Sequence, residues 1–236
     1  MKGSALVSRV QHSPNIEPRL DGKTPRYLIL HYTGMVTGKA AVDWLCNPAS
    51  KVSCHYLVDV DGEVVQMVDE TLRAWHAGVG SWHGEIDINS ASIGIEIQNE
   101  GHAAGSPAFP AVQMKRVAEL SRDIMLRHHI PPQNVLAHSD IAPGRKIDPG
   151  EQFDWEWLAG QGVGIVVKAS GSEVMQIPTL QSSLAQLGYG IDVTGTNDPR
   201  TIKVIEAFQR HFRPSKVDGV ADGETCDAIR RLLGIA

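Results

Sequence analysis

Two histidines and one aspartate occupy positions that could support metal chemistry. His31 ends an apolar run, His138 ends a second, shorter apolar run, and Asp148 follows ten residues later. Two neutral imidazoles and a carboxylate suit Zn²⁺, and a fourth tetrahedral position would stay open for water, as in hydrolytic sites. Because the three positions are dispersed along the chain, spacing alone leaves an alternative open, in which both histidines are hydrogen-bonded core or surface residues.

The segments that would position these residues read as strands. Residues 27–33 are apolar between a proline and a glycine, which predicts a buried strand. Residues 53–68 form two alternating runs around an Asp-Gly dipeptide, which predicts a tight hairpin with positive φ angles in its turn. In residues 92–99 isoleucines alternate with other residues, so that Glu96 faces away from the isoleucine row.

Helices are predicted between these strands. Thr37 can cap a short helix that stops near Pro48, and Pro110 can open a long helix that ends before Pro131. Because strands and helices alternate while a hairpin interrupts them, we predict an α/β (α+β) fold with a mixed β-sheet flanked by helices. This first domain is expected to span residues 1–160.

The last third of the chain has a different organisation. Residues 161–175 are rich in small residues and lack a clear period, which is typical of a linker. Beyond them the pattern G-x-x-D-x-x-T-x-x-x-I occurs from Gly195 and again from Gly219, a spacing of 24 residues. In each copy the Asp and Thr can cap a helix. We therefore predict a small helical domain over residues 176–236.

Composition excludes several classes of function. The 236-residue chain has a formal net charge of -5 and a pI near 6.0 without a long run of Lys or Arg. This disfavours nucleic acid and anionic membranes as partners. The three cysteines are odd in number and lack CxxC spacing, so neither a disulfide framework nor a cysteine zinc site is indicated.

The sequence also carries an expectation about compartment. The N-terminal segment turns polar within about ten residues, too soon for the apolar core of a signal peptide. No apolar stretch approaches the ~20 residues of a membrane span. We therefore expect a cytoplasmic protein without membrane insertion, or a periplasmic or cell-envelope protein if a leader has been removed.

Five motifs give the chain a family resemblance. LILHYTG, VSCHYLVDVDGEVVQ, RAWHAG, INSASIGIEIQNEG and AHSDIAPGRKIDPG occur in the order found in type-2 N-acetylmuramoyl-L-alanine amidases, and they span most of residues 26–155. The chain resembles the AmpD/AmiD-like group of that family, whose fold is shared with peptidoglycan recognition proteins. The resemblance implies zinc-dependent hydrolysis of the amide bond between N-acetylmuramic acid, including its 1,6-anhydro form, and L-alanine of the stem peptide.

The resemblance also implies roles for five residues. The positions matching His31, His138 and Asp148 bind one zinc ion in this family, and those matching Glu96 and Lys146 assist catalysis. Glu96 would take a proton from the attacking water and pass it to the leaving nitrogen. Lys146 would stabilise the developing oxyanion. The alternative for this last pair is a solvated carboxylate on a strand and a surface lysine.

Further residues near these motifs are weaker candidates for substrate binding. His76, Trp75 and Asn89 resemble positions in a substrate cleft, although a Trp-His loop could equally be a packed structural turn. His55 is expected to be a structural or supporting residue, because a fourth protein ligand would close the metal to water.

The C-terminal segment resembles the three-helix peptidoglycan-binding domain often appended to wall hydrolases. Such a module would hold the catalytic cleft near muropeptides or the sacculus, and the alternative is a stabilising cap. Two further readings of the whole chain are a non-catalytic peptidoglycan recognition protein and a zinc peptidase that cuts within the stem peptide. Because no leader is evident, we favour a role in peptidoglycan recycling.

Overall fold

The structure is a computed structural model that describes residues 1–235. Its strands are β1 (Arg9–Val10), β2 (Ile16–Pro18), β3 (Tyr27–Tyr32), β4 (Tyr56–Val58), β5 (Val64–Gln66), β6 (Leu72–Ala74), β7 (Ser92–Ile97) and β8 (Val135–Ala137). Its α-helices are α1 (Gly38–Leu45), α2 (Ile88–Ala91), α3 (Ala111–His128), α4 (His138–Ile141), α5 (Trp155–Gly160), α6 (Ile177–Leu187), α7 (Pro199–Phe212) and α8 (Gly223–Ile235).

The central sheet has six strands in the order β1-β5-β4-β7-β3-β8. Only the β4–β5 pair of this sheet is antiparallel, and the other pairs are parallel. Strands β2 and β6 form a separate antiparallel pair. The predicted mixed sheet flanked by helices is therefore confirmed.

The predicted hairpin is present, but its turn differs from the expected one. The Gly62 amide donates to the Asp59 carbonyl (2.9 Å), and the Asp59 amide donates to the Glu63 carbonyl (2.9 Å). Of the Asp61-Gly62 dipeptide only Gly62 has a positive φ, of 87°. The connection is thus a three-residue loop in which a left-handed glycine follows a turn, and not a two-residue turn with two positive φ angles.

The two faces of the sheet are covered differently. One face packs on α3, and this core includes Leu28 and Leu30 of β3 as well as Ile93 and Ile95 of β7. The apolar residues of α3 that join it include Met114, Val117, Leu120 and Ile124. They recur every three or four residues, so the predicted long helix and its buried stripe are confirmed.

The opposite face carries two separate apolar clusters. Helix α1, which Thr37 caps as predicted, packs on Leu57 and Val65 at one side. The C-terminal helices pack on Tyr27, Ile29 and other apolar residues at the other side. Between these clusters the face carries polar side chains, and this is where the cleft lies.

The C-terminal unit consists of α6, α7 and α8, as predicted. Its internal repeat forms matching helix starts: Asp198 accepts a hydrogen bond from the Thr201 amide (2.8 Å), and Asp222 accepts one from the Thr225 amide (3.1 Å). A glutamine side chain contacts each helix start. The Gln181 amide group of α6 donates to the Thr201 hydroxyl (2.8 Å), and the Gln209 amide group of α7 donates to the Thr225 hydroxyl (3.3 Å). The repeat therefore serves to begin helices.

The segment between the two units packs closely. Residues 161–176 contain no helix or strand, yet Val163 is fully buried in the α3 core. Ile165, Val167 and Met175 pack against the cluster that the C-terminal helices share with the sheet. The division into separately folding units at residues 160 and 175 stays a prediction, because this shared cluster joins the two.

A buried carboxylate ties the sheet to α3 away from the cleft. Glu70 accepts hydrogen bonds from the Tyr56 hydroxyl (2.6 Å) and His128 Nε2 (2.8 Å), and it pairs with the Arg127 guanidinium. Burial by itself would raise the pKa of Glu70, but the hydrogen bonds from His128, Arg127 and Tyr56 outweigh it and lower the pKa to about 2. Glu70 is therefore ionised at neutral pH and stabilises the fold.

Candidate metal centre

The three predicted ligands converge at one edge of the sheet. His31 lies near the end of β3, and His138 is the first residue of α4, directly after the neighbouring parallel strand β8. Asp148 comes from the loop that follows. His31 Nδ1 lies 2.8 Å from His138 Nδ1 and 3.2 Å from Asp148 Oδ2, which is 3.0 Å from His138 Nδ1. All three side chains are buried.

The outer nitrogen of His138 fixes the state of its ring. His138 Nε2 lies 2.9 Å from the carbonyl oxygen of Ala77, which can only accept a hydrogen bond. Nε2 therefore carries a proton, and in the neutral tautomer with this proton Nδ1 holds a lone pair that faces inward. This matches the usual pattern in which a metal-binding histidine donates its other N–H to a carbonyl or carboxylate.

The inner atoms suit a cation. Burial, together with the neighbouring His138 ring, lowers the pKa of His31 to about 4, so this ring is neutral at pH 7. Nδ1 of His31, Nδ1 of His138 and Oδ2 of Asp148 lie within 3.2 Å of one another, and a positive ion bound to all three atoms would stabilise this arrangement. The three groups therefore form a site that could hold a metal ion.

A cleft of about 350 Å³ opens over this site. Its lining includes all three predicted ligands together with Glu96 and Lys146. Aromatic and basic side chains also line the cleft: Tyr32, Trp44, Trp75 and Arg145. Trp44 of α1, Tyr32 of β3 and Arg145 could not be singled out from the sequence, because an aromatic or basic residue carries no local signal of facing a cleft.

Glu96 is placed next to a ligand by strand register. In the parallel β3–β7 pair, His31 and Glu96 are direct partners, so their side chains project from the same face. Glu96 Oε2 is buried and has no hydrogen-bond partner among residues 1–235. Burial raises the pKa of this carboxyl, the negative charge of Asp148 adds to the rise, and Lys146 opposes it. A carboxyl with a raised pKa is suited to exchange protons with a reacting group.

The weaker candidates lie in different places. Trp75 lines the cleft, and its indole N–H donates to Glu17 (3.1 Å). His76 also touches the cleft but is buried, and its Nδ1 lies 2.9 Å from His31 Nε2. Asn89 is buried behind the loop, where its side-chain oxygen accepts hydrogen bonds from the amides of His76 (3.0 Å) and Ala77 (2.8 Å). The contacts of Asn89 thus hold the loop.

His55 lies apart from the three ligands. It is fully buried, and its Nδ1 accepts a hydrogen bond from the Gly94 amide (3.1 Å). Its Nε2 faces Arg19 (3.2 Å) and the carbonyl of Leu72 (3.2 Å). The structural role expected for this histidine agrees with these contacts.

Sequence reasoning missed a buried cluster behind His138. Asp140, fully buried on the same short helix, accepts hydrogen bonds from the Ala137 amide (2.8 Å) and the Tyr189 hydroxyl (2.7 Å). His211 Nδ1 lies 2.7 Å from Oδ2 of the Asp140 carboxylate. Tyr189 and His211 belong to the C-terminal unit, so that unit reaches the turn that carries a candidate ligand. A separation of 71 residues between His211 and Asp140 gave no signal in the sequence.

Comparisons with known proteins find relatives along most of the chain. A family profile described as N-acetylmuramoyl-L-alanine amidase matches residues 21–151, and one described as a peptidoglycan binding domain matches residues 175–229. The chain is 40% identical over 234 residues to N-acetylmuramoyl-L-alanine amidase AmiD of Escherichia coli, covering 88% of this chain and 82% of AmiD. It is 33% identical over 171 residues to 1,6-anhydro-N-acetylmuramyl-L-alanine amidase AmpD of the same species, covering 65% of this chain and 91% of AmpD.

A solved structure extends the likeness to the fold. The complex of E. coli AmiD with the substrate anhydro-N-acetylmuramic acid-L-Ala-D-gamma-Glu-L-Lys matches with a TM-score of 0.80 and 34% identity, covering 93% of both chains. The amidase profile covers more than half of the chain, and the identity to AmiD extends over most of both sequences. This chain belongs to the N-acetylmuramoyl-L-alanine amidase family.

Proposed function

We propose that this amidase uses zinc to hydrolyse the bond between N-acetylmuramic acid and L-alanine, and that its substrates include 1,6-anhydro-muropeptides. One observation carries the proposal: three metal-ligating atoms converge within 3.2 Å of one another at the floor of a cleft that Glu96 and Lys146 also line. A site of this kind would supply metal ligands, a carboxyl group that can carry protons (Glu96) and a positively charged side chain (Lys146) for amide hydrolysis.

The donor set supports zinc as the metal. Two imidazole nitrogens and one carboxylate oxygen are common ligands of catalytic zinc, which keeps a further position for water or substrate. Bound by His31, His138 and Asp148, zinc would supply the Lewis acidity that activates water and polarises the scissile carbonyl.

The protein's own groups account for the proton transfers. Glu96 Oε2, free of other partners among the described residues, would accept the proton of the attacking water. The same carboxyl would then donate a proton to the leaving L-alanine nitrogen, which must depart as an amine. Lys146, partly buried at the cleft, would donate a hydrogen bond to the oxyanion formed at the carbonyl oxygen.

The names of the relatives support the choice of substrate. AmpD is named as a 1,6-anhydro-N-acetylmuramyl-L-alanine amidase, and AmiD has been solved with an anhydro-muramyl tripeptide. We extend this specificity to the present chain and place the enzyme in peptidoglycan recycling. We also propose that the C-terminal unit, which belongs to a peptidoglycan-binding family, holds the same fragments or the sacculus near the cleft.

The compartment is a separate prediction. Among the described helices, none has the length and apolarity needed to cross a bilayer. We propose a cytoplasmic location from the sequence, and fractionation of cells that express the native gene would test it. Recovery of the protein in the periplasmic fraction would contradict the assignment to recycling of internalised fragments.

The direct test is product identification. The zinc-loaded protein is incubated with defined 1,6-anhydro-muropeptides and with intact sacculi, and the products are identified by mass spectrometry. We expect a free stem peptide with an L-alanine amino terminus, and no product after chelation. Cleavage between peptide residues would instead identify a peptidase, and tight binding without cleavage would identify a recognition protein.

A variant pair ties the activity to the cleft. Glu96→Gln keeps the size of the side chain but cannot accept the proton, so kcat should fall by about 10²–10⁴ while zinc binding is retained. Glu100→Gln, at an exposed residue just beyond the same strand, is the matched control and should keep full activity. Equal rates for the two variants would exclude Glu96 as the proton carrier.

A further inference from the structure

We propose that His76 is a positioning residue that sets the tautomer of the metal ligand His31, and that it does so through a directed chain of hydrogen bonds which starts at a backbone carbonyl. The inference rests on the proposed metal site. It assigns His76, first considered for substrate contact, a different task.

The chain of hydrogen bonds starts at the carbonyl oxygen of Ile88. This oxygen can only accept, and it lies 2.6 Å from the Ser92 hydroxyl, so the Ser92 proton points towards it. Ser92 Oγ is then left as an acceptor for its second partner, His76 Nε2, at 3.1 Å. His76 must therefore carry its proton on Nε2.

The next hydrogen bond joins the His76 ring to His31. With the proton on Nε2, the neutral His76 ring has a lone pair on Nδ1. His31 Nε2 lies 2.9 Å from this atom and must donate its proton to it. In neutral His31 the other nitrogen, Nδ1, then holds a lone pair, and Nδ1 is the atom that faces His138 and Asp148. The chain thus presents His31 to a metal in its ligating tautomer.

The surroundings keep the His76 ring in this position. The amides of His76 and Ala77 are both bound by Asn89, which fixes the backbone from which the ring projects. On the other side of the ring, a Cβ atom added to Gly94 would lie 2.6 Å from His76 Nδ1. The glycine in β7 therefore leaves room for the ring beside the strand, and the ring has little freedom to turn.

The proposal predicts a graded loss of metal affinity. His76→Leu removes the acceptor for His31 and should weaken zinc binding by about 10–100-fold, the usual effect of losing such a partner. His76→Asn places an amide oxygen near the position of Nδ1 and should recover part of the loss. Ser92→Ala leaves His76 in place but frees its tautomer, so it should cause a smaller loss in the same direction.

The experiment measures the zinc dissociation constant of the full-length apoprotein by competition with a chromogenic chelator, with folding checked by circular dichroism. His55→Leu is the matched control, because His55 is also buried, next to His76, but contacts neither His31 nor His138. It should keep the wild-type zinc affinity even where it lowers stability.

The outcomes separate this inference from the proposed function. A wild-type protein that binds no divalent metal would overturn the metal site itself. A wild-type protein that binds zinc, with unchanged affinity in His76→Leu or, if that variant does not fold, in both His76→Asn and Ser92→Ala, would overturn only the role of His76. Equal losses in His76→Leu and His55→Leu would show general loosening of the core and would also overturn it.

Discussion

Replacing Tyr189 by phenylalanine tests whether the C-terminal unit stabilises the turn that carries His138. The Tyr189 hydroxyl donates to Asp140 Oδ1 at 2.7 Å, and the carboxylate is fully buried, so water cannot take its place. Phenylalanine would keep the ring contact with Trp82, whose centroid lies 4.8 Å away. The change therefore removes one hydrogen bond and little else.

The expected magnitude follows from the burial of the acceptor. Removing a hydrogen-bond partner of a buried polar group costs about 1–3 kcal/mol, so we expect Tyr189→Phe to lower the free energy of unfolding by about 2 kcal/mol. For a chain of this size that corresponds to a fall in Tm of about 4–8 °C. Two hydrogen bonds to Asp140 remain, from the Ala137 amide and His211 Nδ1, so the variant should still fold.

The assay is urea unfolding followed by fluorescence and circular dichroism. The transition midpoint should fall while the slope m stays unchanged, because the same surface is exposed on unfolding. Tyr27→Phe is the control: this ring is also buried, and its hydroxyl makes no hydrogen bond with residues 1–235. The control should change stability by no more than about 0.5 kcal/mol. Equal midpoints for the two variants would refute the role given to Tyr189.

Three further predictions follow from the packing, the charges and the cleft. Deleting residues 176–236 should lower the Tm and the soluble yield, because it exposes an apolar sheet face and removes two of the partners of Asp140; an unchanged Tm would contradict this. Folding lowers the pKa of Glu70 from its ordinary value of 4.5 to about 2. The contribution of Glu70 to the free energy of unfolding is therefore complete above pH 4.5 and is lost as the pH falls from there towards 2. Urea unfolding between pH 2 and 6 should show this loss, about 3 kcal/mol in size, and Glu70→Gln should lack it. Lys146→Ala should lower kcat by about 10²–10³ with little change in KM, and steady-state rates at full kcat would exclude Lys146 as the oxyanion donor.

Local patterns in the sequence were enough for the elements that carry the site. Alternation in β7 placed Glu96 on the face opposite the isoleucines, and the apolar run of β3 placed His31 near a strand end. Both statements concern neighbours in the chain, where side-chain direction follows from backbone geometry alone. The parallel pairing that makes His31 and Glu96 direct partners depends on strand order, which the patterns did not specify.

Contacts between distant segments could not be predicted in the same way. Nothing near His211 in sequence indicates Asp140, and residues 161–176 have no period that would show which of their side chains are buried. The turn after β4 differs from the predicted tight turn for a local reason. Its loop has three residues and needs only one left-handed residue, Gly62. Sequence therefore specified which residues line the sheet face, and packing decided what lies behind them.

What lies behind the ligands explains how a centre built from dispersed residues is held in one geometry. A single short loop orients both histidines, because Ala77 accepts from His138 through its carbonyl while His76 accepts from His31 through its ring. Asn89 binds the two adjacent amides of that loop, so one buried side chain sets the position of both acceptors together. The orientations of two of the three ligands thus depend on residues that need not touch substrate. Substitution of Asn89 should therefore weaken metal binding more than substrate binding.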